Sequence, residues 1–485
     1  MKLRTLWLGL ALTLLSGQFL CAQSAKLAQA AQSGRPPFIR TDAPLVALTN
    51  VRVIDGTSAA LREDQTIIIS AGKIQAIAPS ASANVPTSAQ ILDLKGYTVL
   101  PGLVGMHNHM FYPMGGQMYS NMGVSFSRLY LALGVTTMRT AGSVQPYADL
   151  EIKKLIDSGR MIGPKIHITA PFLEGVGAVT PVMHELTGPD DARRMVNYWA
   201  DLGATSFKAF MNIKRDELRA VLEEAHKRGL KVTGHLCAVS FREAAEMGID
   251  NLEHGIMVDT GYIAGKKPDE CNYGSQSTVE AFLKLDPNSG YMADLIKTLV
   301  ARNVAVTSTL PVFEAEAPLQ AGIRRPLFEP QVLSAMSADA RARYLLARAR
   351  IAPDSPAGAM LKKEMEFERA FVAAGGLLLA GPDPTGNGGI LAGYGDLREV
   401  ELLVEAGFTP VEAIKIASFN GAKFLGQDAR IGSIAIGKQA DLMVVKGNPA
   451  AKITDLENVE IVFKDGVGYD SEKLIRSVQG LVGIR

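Results

Sequence analysis

The sequence has little cysteine and no excess of charge of either sign. Its 485 residues contain three cysteines, and 50 basic residues are balanced by 49 acidic ones. So few cysteines exclude a disulfide framework, and a balanced charge without any basic run interleaved with aromatics argues against nucleic acid as a partner. If the N-terminal segment that carries Cys21 is removed, Cys237 and Cys271 can form at most one disulfide.

Long apolar runs are also scarce. One apolar stretch, from Leu6 to Leu15, follows two basic residues and precedes a small-residue cleavage site at Ala22, which predicts a signal peptide over residues 1–22. No later segment has the roughly 20 uninterrupted apolar residues of a membrane-spanning helix. We therefore expect a periplasmic or secreted protein that does not insert into the membrane after processing. A lipoprotein is the rival interpretation because of Cys21, although Leu20 stands where a small residue normally precedes a lipidated cysteine.

What remains is a globular chain with an ample core. With 47% hydrophobic residues and 47 glycines, its composition and length suit two or three domains. After a polar linker at residues 23–44, short apolar runs broken by glycine over 45–99 predict strands, and the same texture returns over 426–485. Both ends of the chain are therefore predicted to be rich in β-structure.

The middle of the chain, residues 100–425, repeats a different pattern. Short β-prone runs such as "GPKIHITAP" and "GLKVTGHLC" alternate with helical segments such as "RDELRAVLEEAHKRG". Eight such units predict an α/β fold with a (β/α)8 TIM-type barrel. Two connections, 258–291 and 312–360, are longer than a normal βα loop and are expected over the barrel mouth, where the second would carry Arg324 and Arg325.

In such a barrel, residues at the carboxyl ends of the strands face the reaction site. His107 and His109 end the first strand two residues apart, so both imidazoles project from one side and can hold a divalent ion. Two histidines with ordinary structural roles are the alternative for this pair. The other strand ends supply four more candidates, Lys208, His235, His254 and Asp383. Four histidines, a lysine and a carboxylate at one face of a barrel indicate a metal site.

Lys208 requires a separate explanation, because a buried ammonium beside metal ions is strongly disfavoured. A neutral lysine amine can react with carbon dioxide to form a carbamate, whose two oxygens can bridge two metal ions. A lysine that extends to the barrel rim or binds substrate is the alternative.

Together, the stretches "LPGLVGMHNH", "SFKAF", "GHLCA", "NLEHG", "AGPDP" and "GSIAIGKQADLMVV" resemble the amidohydrolase superfamily, in its imidazolonepropionase-like and metal-dependent dipeptidase branch. The resemblance covers nearly all of the chain after the signal peptide. It implies a metal-bearing (β/α)8 barrel beside a small β-sandwich formed by both chain ends, 45–99 and 426–485. It also implies two divalent ions, preferably zinc, of which one is held by His107, His109, carbamylated Lys208 and Asp383, and the other by Lys208, His235 and His254.

The sequence departs from this family pattern at three positions. Gly105 stands where relatives commonly have an acid, and Pro382 stands where a threonine usually precedes the last aspartate. Thr140 follows Arg139 where relatives often have aspartate. None of these changes removes a ligand. They do leave undetermined which residues contact the ligands and the substrate.

Other polar residues have weaker cases. Cys237 lies two residues after His235 and is a rival ligand if it is a thiolate. His184, in a glycine-rich loop, could meet substrate, although an ordinary loop histidine is the alternative. Glu253 points away from His254 by strand alternation and is expected to support the site or the structure.

We expect hydrolysis of a carbon–nitrogen bond. Metal ions would lower the pKa of a water molecule, and Asp383 would take its proton and return it to the leaving nitrogen. The expected substrates are dipeptides or N-acyl amino acids, cleaved with release of the C-terminal amino acid and held by a cationic anchor, Arg139, Arg324 or Arg325. Ring opening of a cyclic amide is the alternative, and a non-catalytic binding protein is disfavoured because all the expected ligands are present. Relatives often assemble, so a homo-oligomer is expected.

Overall fold

The computed structural model describes residues 37–271, 274–318 and 329–484. The predicted signal peptide, most of the predicted linker, and both Arg324 and Arg325 lie outside these ranges. Across the described ranges, no helix combines the length and the apolar character needed to cross a membrane.

Strands and helices alternate through most of the chain. The strands are β1 (Ile39–Thr41), β2 (Leu45–Val53), β3 (Arg62–Ser70), β4 (Lys73–Pro79), β5 (Gln90–Asp93), β6 (Tyr97–Pro101), β7 (Leu103–Gly105), β8 (Phe111–Gly115), β9 (Met118–Asn121), β10 (Val135–Arg139), β11 (Lys165–His167), β12 (Ser206–Ala209), β13 (Lys231–Gly234), β14 (Asn251–Glu253), β15 (Ala305–Ser308), β16 (Leu378–Ala380), β17 (Leu442–Lys446), β18 (Val459–Lys464) and β19 (Val467–Asp470). The α-helices are α1 (Gly123–Ala132), α2 (Pro146–Asp157), α3 (Pro189–Asp201), α4 (Arg215–Lys227), α5 (Phe241–Met247), α6 (Gln276–Leu283), α7 (Gly290–Ala301), α8 (Leu310–Glu316), α9 (Glu329–Ala335), α10 (Ala338–Ala349), α11 (Ala357–Ala373), α12 (Tyr394–Glu405), α13 (Pro410–Lys415), α14 (Gly421–Phe424) and α15 (Ser471–Arg476).

Both ends of the chain contribute to one mixed sheet. Its strand order is β1-β19-β18-β17-β6-β2-β3-β4, and β5 pairs with β2. The two ends join where β17 runs antiparallel to β6 and where β1 runs antiparallel to β19, so both chain ends contribute to one β-rich region, as predicted. Alternate residues of β17 enter different cores, since Leu442 and Val444 pack within the sheet region while Met443 and Val445 pack against the rest of the protein. Burial on both faces explains why this strand is an almost continuous apolar run.

The middle region contains eight parallel strands in two sheets. One has the order β11-β10-β7, and the other runs consecutively from β12 to β16. Main-chain hydrogen bonds link the two sheets at both ends. The N–H of Thr205 donates to the carbonyl of Ile168 at 2.7 Å, and the N–H of Met106 donates to the carbonyl of Ala380 at 2.8 Å. The protein therefore has an α/β fold with mixed sheets, and the carboxyl ends of the parallel strands lie along one edge.

The helices that follow these strands are amphipathic, and α4 shows the local cause. Leu218, Val221 and Ala225 recur at spacings of three and four residues and are buried. At the start of the helix, the side chain of Glu217 accepts a hydrogen bond from the N–H of Lys214 at 2.9 Å, which satisfies a backbone donor that has no partner within the helix. The apolar stripe then packs α4 against the sheet.

Two long connections lie at the same edge as the carboxyl ends of the strands. The connection after β14 contains α6 and is tied by a disulfide between Cys237 and Cys271 to the segment that follows β13. The connection between β15 and β16 contains α8 to α11. The disulfide that the cysteine count allows is therefore present.

Candidate metal centre

All six predicted ligands lie at the carboxyl edge of the parallel strands. His107 and His109 follow β7, Lys208 lies in β12, His235 and His254 directly follow β13 and β14, and Asp383 lies three residues after β16. We refer to these six side chains as the metal centre.

The carboxylate of Asp383 lies in the middle of this group. Its Oδ1 is 3.2 Å from Nε2 of His109, and its Oδ2 is 3.7 Å from Nε2 of His107 and 4.0 Å from Nε2 of His254. His107, His109 and Asp383 each offer a ligand atom within 4.8 Å of the other two. Imidazole nitrogens around a carboxylate are a donor set suited to divalent transition metals.

The other ring nitrogen of each of these histidines is already engaged. Nδ1 of His107 is 2.7 Å from Oε2 of Glu253, and Nδ1 of His109 is 3.2 Å from the carbonyl of Gly142. Nδ1 of His254 is 2.8 Å from Oγ1 of Thr309. When Nδ1 donates its proton outwards, the lone pair of Nε2 is left facing the centre.

One of these inward nitrogens lacks a partner. Nε2 of His254 is buried and has no hydrogen-bond partner within the described residues. A buried polar atom without a partner is costly, and a divalent cation beside Asp383 would satisfy it. The residues present therefore fit a metal ion.

Lys208 and His235 complete the group. The Nζ of Lys208 is buried and lies 3.1 Å from Nε2 of His107. No carboxylate oxygen of the described residues is within ion-pair distance of this Nζ. The ring of His235 is centred 4.4 Å from that of His254. Both side chains thus join the cluster at the positions that the strand ends predict.

Burial and charge set the protonation states of the metal centre. Burial and the charge of Lys208 lower the pKa of His107 to about 4 and that of His235 to about 3. Burial likewise holds the pKa of His254 well below its usual value. Although burial favours the protonated acid, His107 and His109 hold the pKa of Asp383 well below its usual value. Neutral imidazoles and an ionised carboxylate are the forms that bind a metal ion.

Two of the six residues adopt unusual backbone conformations. His254 has a φ of 69° and Asp383 a φ of 48°, both in the left-handed region. This conformation costs a non-glycine residue about 1–2 kcal/mol, and such strain concentrates at functional sites. The side chain of Asp383 is further held by Thr385, whose hydroxyl donates to Oδ1 at 2.9 Å.

A buried ion pair supports His107 from behind. Oε1 of Glu253 accepts a hydrogen bond from Nη2 of Arg139 at 2.6 Å, and Oε2 of Glu253 faces Nδ1 of His107. Although burial opposes ionisation, the charge of Arg139 and the hydrogen bond with His107 hold the pKa of Glu253 well below its usual value. Strand alternation indicates only that Glu253 points away from His254, and its contact with His107 has no local signal in the sequence.

The structure corrects the prediction that Arg139 anchors substrate. Arg139 is 1% exposed, and its guanidinium donates to Glu253, to Asn251 and, through Nε, to the carbonyl of Met106 at 2.7 Å. All three acceptor residues are themselves buried. Arg139 therefore orients Glu253 instead of binding a substrate carboxylate.

The remaining candidates have different outcomes. Nε2 of His184 is 3.0 Å from Oδ2 of Asp191, and none of its described contacts is with the metal centre. Cys237 is bonded to Cys271 and so cannot be the thiolate ligand considered as a rival. Arg324 and Arg325 lie outside the described residues.

The neighbouring side chain of Asn108 explains the glycine at position 105. A Cβ on Gly105 would lie 2.1 Å from Nδ2 of Asn108, which donates a hydrogen bond to Oδ1 of Asp396 at 3.0 Å. The space that an acidic side chain would need at position 105 is therefore filled by Asn108.

Aromatic rings border the metal centre. The ring of Phe111 stacks on that of His109 with centroids 4.4 Å apart, and Phe210 lies 4.9 Å from His235. Phe111, Phe172 and Phe210 form one buried cluster, against which the half-buried Tyr119 packs. Aromatic rings therefore pack directly against this side of the candidate ligands.

Several known proteins resemble this chain in sequence. The sequence profile of the amidohydrolase family matches residues 98–467. An adenine deaminase 3 of Rhizobium johnstonii is 27% identical over 271 residues, which cover 51% of this chain and 42% of that protein. A dihydroorotase of Syntrophus aciditrophicus is 36% identical over 104 residues, which cover 21% of this chain and 24% of that protein. This chain thus matches less than half the length of either relative.

Solved structures extend the likeness to the fold. The crystal structure of a Xaa-Pro dipeptidase with bound methionine in the active site has a TM-score of 0.64 and 21% sequence identity to this chain. The alignment covers 88% of this chain and 100% of that one. At this level of identity the likeness concerns the fold alone.

Proposed function

We propose that this chain, which belongs to the amidohydrolase family, is a metal-dependent hydrolase of carbon–nitrogen bonds. It cleaves the amide bond of dipeptides or N-acyl amino acids and releases the C-terminal amino acid. The observation that carries this proposal is the convergence of the Nε2 atoms of His107, His109 and His254 on the carboxylate of Asp383.

Two divalent ions, preferably zinc, would occupy the metal centre. One would be held by His107, His109, Asp383 and Lys208, and the other by Lys208, His235 and His254. For Lys208 to serve both, its neutral amine forms a bond to the carbon of carbon dioxide and loses a proton, which leaves a carbamate anion. The burial of Lys208 without a carboxylate partner supports this modification, since a buried unpaired ammonium is costly.

The chemistry follows from the positions of the protein groups. Bound divalent ions would lower the pKa of a water molecule towards neutrality and polarise the amide carbonyl. Asp383 would accept the proton of the attacking water at a carboxylate oxygen and then donate it to the departing nitrogen. Glu253 holds the proton of His107 on Nδ1, so that the Nε2 lone pair stays available for binding.

We also propose that the two parallel sheets form one closed (β/α)8 barrel. The hydrogen bonds from Thr205 to Ile168 and from Met106 to Ala380 support this arrangement, because they link the edge strands of both sheets. In this arrangement the metal centre occupies the mouth formed by the carboxyl ends of the strands.

The proposed location of the protein is the periplasm or the exterior of the cell. The sequence of residues 1–22 supports it, and so does the disulfide between Cys237 and Cys271, because such bonds persist in oxidising compartments. A homo-oligomer remains our proposal for the assembly state.

The substrate class rests on the surroundings of the ligands. The aromatic cluster of Phe111, Phe172 and Phe210 suits an apolar group beside the scissile bond. With Arg139 occupied internally, Arg324 and Arg325 are the remaining proposed partners for a substrate carboxylate.

The test is a hydrolysis screen read by mass spectrometry, with and without a metal chelator. The panel contains dipeptides, N-acyl amino acids, cyclic amides and adenine. We expect chelator-sensitive release of a free C-terminal amino acid. Release of ammonia from adenine, with no cleavage of the peptide-like compounds, would reject the proposed substrate class.

Ring opening of a cyclic amide is a second candidate function. The 36% identity to a dihydroorotase over 104 residues favours it, and the same ligands and Asp383 would serve. Its product would be heavier than the substrate by one water and would remain in one piece, which distinguishes it from cleavage into two products.

A further inference from the structure

Glu364 of α11 is a buried carboxyl that lies behind His254 and is not one of the six side chains of the metal centre. It is 0% exposed, and its Oε2 accepts a hydrogen bond from the backbone N–H of Met257 at 2.8 Å. Met257 belongs to a short 3-10 turn, Gly255–Val258, which begins directly after His254. The carboxyl of Glu364 therefore contacts the turn from which the ring of His254 projects.

The approach of Glu364 to this turn depends on the glycine at position 255. A Cβ on Gly255 would lie 1.6 Å from Oε1 of Glu364, so no other residue fits there without movement. Gly255 has a φ of 62°, and His254 before it has a φ of 69°. Glycine adopts this conformation without strain, but histidine does not. The strained conformation of His254 thus needs contacts that hold it, and the bond between Glu364 and Met257 is one of them.

We propose that Glu364 is a positioning residue for the metal site of His254, because its carboxyl holds the Gly255–Val258 turn so that Nε2 of His254 faces the centre. The proposal rests on the proposed function, since it takes His254 to be a metal ligand. It needs an acceptor oxygen but no negative charge, and burial indeed raises the pKa of the Glu364 carboxyl. Glutamine at this position should therefore preserve the function.

Glu368, one turn further along α11, provides a matched control. It is also 0% exposed, so its replacement would leave a cavity of the same size in the same helix. Its carboxyl lies beside the hydroxyl of Ser308, and no described hydrogen bond joins it to the turn after His254. A loss that comes only from a cavity in α11 should therefore affect both positions alike.

The experiment measures metal binding in the full chain. Wild-type protein, E364A, E364Q, E364D and E368A are loaded with cobalt, the stoichiometry is measured by mass spectrometry of the metal, and the visible cobalt spectrum and the dissociation rate of each ion into a chelator are recorded. E364D retracts the acceptor oxygen by one methylene. It replaces E364A in the comparison if the alanine variant does not fold.

The proposal predicts that E364A and E364D lose one of two ions about 10- to 100-fold faster than wild type, with an altered cobalt spectrum, while E364Q and E368A stay within about threefold. Equal dissociation rates in wild type and E364A, or in E364D when E364A does not fold, would overturn it. So would an equal acceleration in E368A, because the effect would then come from packing in α11.

The same data separate this proposal from the proposed function. If wild-type protein binds cobalt and H254A accelerates its loss, the metal centre stands, and the glutamate variants alone decide the role of Glu364. If H254A releases cobalt at the wild-type rate, His254 is not a ligand, and the proposed metal centre fails together with this inference.

Discussion

Two groups of buried ionisable side chains lie on opposite faces of β15 and its continuation. Thr309, after the strand, contacts His254 of the metal centre. Ser308, with the opposite orientation, lies beside the carboxyls of Glu368 and Glu399. Glu364, Glu368 and Glu399 form what we call the glutamate cluster, and each of the three is no more than 1% exposed.

The two groups differ in how their charges are balanced. In and behind the metal centre, acids lie against histidines and arginine, and the pKa values of Asp383 and Glu253 stay well below the usual range despite burial. In the glutamate cluster, no described lysine, arginine or histidine is within ion-pair distance, and burial raises the pKa of all three carboxyls. Burial alone therefore does not create a reactive site. Ligand atoms must also converge, with charges of both signs.

The largest effect is expected from removing the carboxylate at the middle of the metal centre. Asp383→Asn keeps the shape of the side chain but removes the proton acceptor and one metal ligand. We expect kcat/KM to fall on the order of 10³-fold, because general acid–base catalysis typically contributes 10²- to 10⁴-fold. Kinetics at full metal loading measure it. Activity within tenfold of wild type would show that Asp383 is not the group that moves the proton.

A change outside both groups should affect stability without affecting the chemistry of either. Replacing Cys237 and Cys271 together by serine opens a loop that spans a sequence separation of 34 residues. Loop-closure entropy puts the cost at up to about 4 kcal/mol of unfolding free energy. Denaturant unfolding measures this cost, and metal content serves as the control. Loss of metal at temperatures where the variant is folded would mean that the disulfide also shapes the metal centre.

A smaller effect is expected behind the ligands. Glu253→Gln removes the charge that faces both His107 and Arg139, so the Nδ1 tautomer of His107 is held less firmly. Changes in residues that orient a metal ligand typically reduce metal affinity about 10- to 100-fold. Competition with a chelator of known affinity measures it. The same change at the exposed Glu460 serves as the control, and equal affinities in all three proteins would contradict the role of Glu253.

The last prediction concerns pH and the glutamate cluster, where no change in activity is expected. The pKa of Glu368 is raised well above its usual 4.5, so the folded state binds this proton more tightly than the unfolded state does. Stability from this group is present below about pH 4.5 and is lost as the pH rises through the folded-state pKa. Between about pH 4.5 and the folded-state pKa, the unfolding free energy of wild type should therefore fall relative to that of Glu368→Gln, by at most about 1.4 kcal/mol per pH unit. Unfolding curves from pH 5 to 9 measure it, and parallel pH profiles would show that Glu368 is not held neutral.

The six candidate ligands can be predicted from the sequence because their signals are local. Each of His107, His109, His235 and His254 follows a β-prone run, and parallel strands bring such ends together whatever the details of packing. The alternation of strands and helices gives the α/β fold for the same reason. The chemistry of the residue types then indicates a metal ion.

The partners of these residues are not local and could not be predicted in the same way. Strand alternation gives the side to which Glu253 points but not that His107 and Arg139 meet it there. Arg139 looks like a substrate anchor until its burial is known, and the left-handed conformation of His254 depends on contacts from α11. The pairing of β17 with β6, which helps to join both chain ends in one sheet, likewise depends on residues more than 300 positions apart.

The proposed dependence of hydrolysis on metal is tested by titrating metal-free protein with zinc. Hydrolysis of an N-acyl amino acid or dipeptide is measured after each addition. We expect no activity without metal, a rise to a plateau at two equivalents of zinc per chain, and activity on the order of 10³-fold lower in the Asp383→Asn protein. Full activity in protein shown to be free of metal would contradict it.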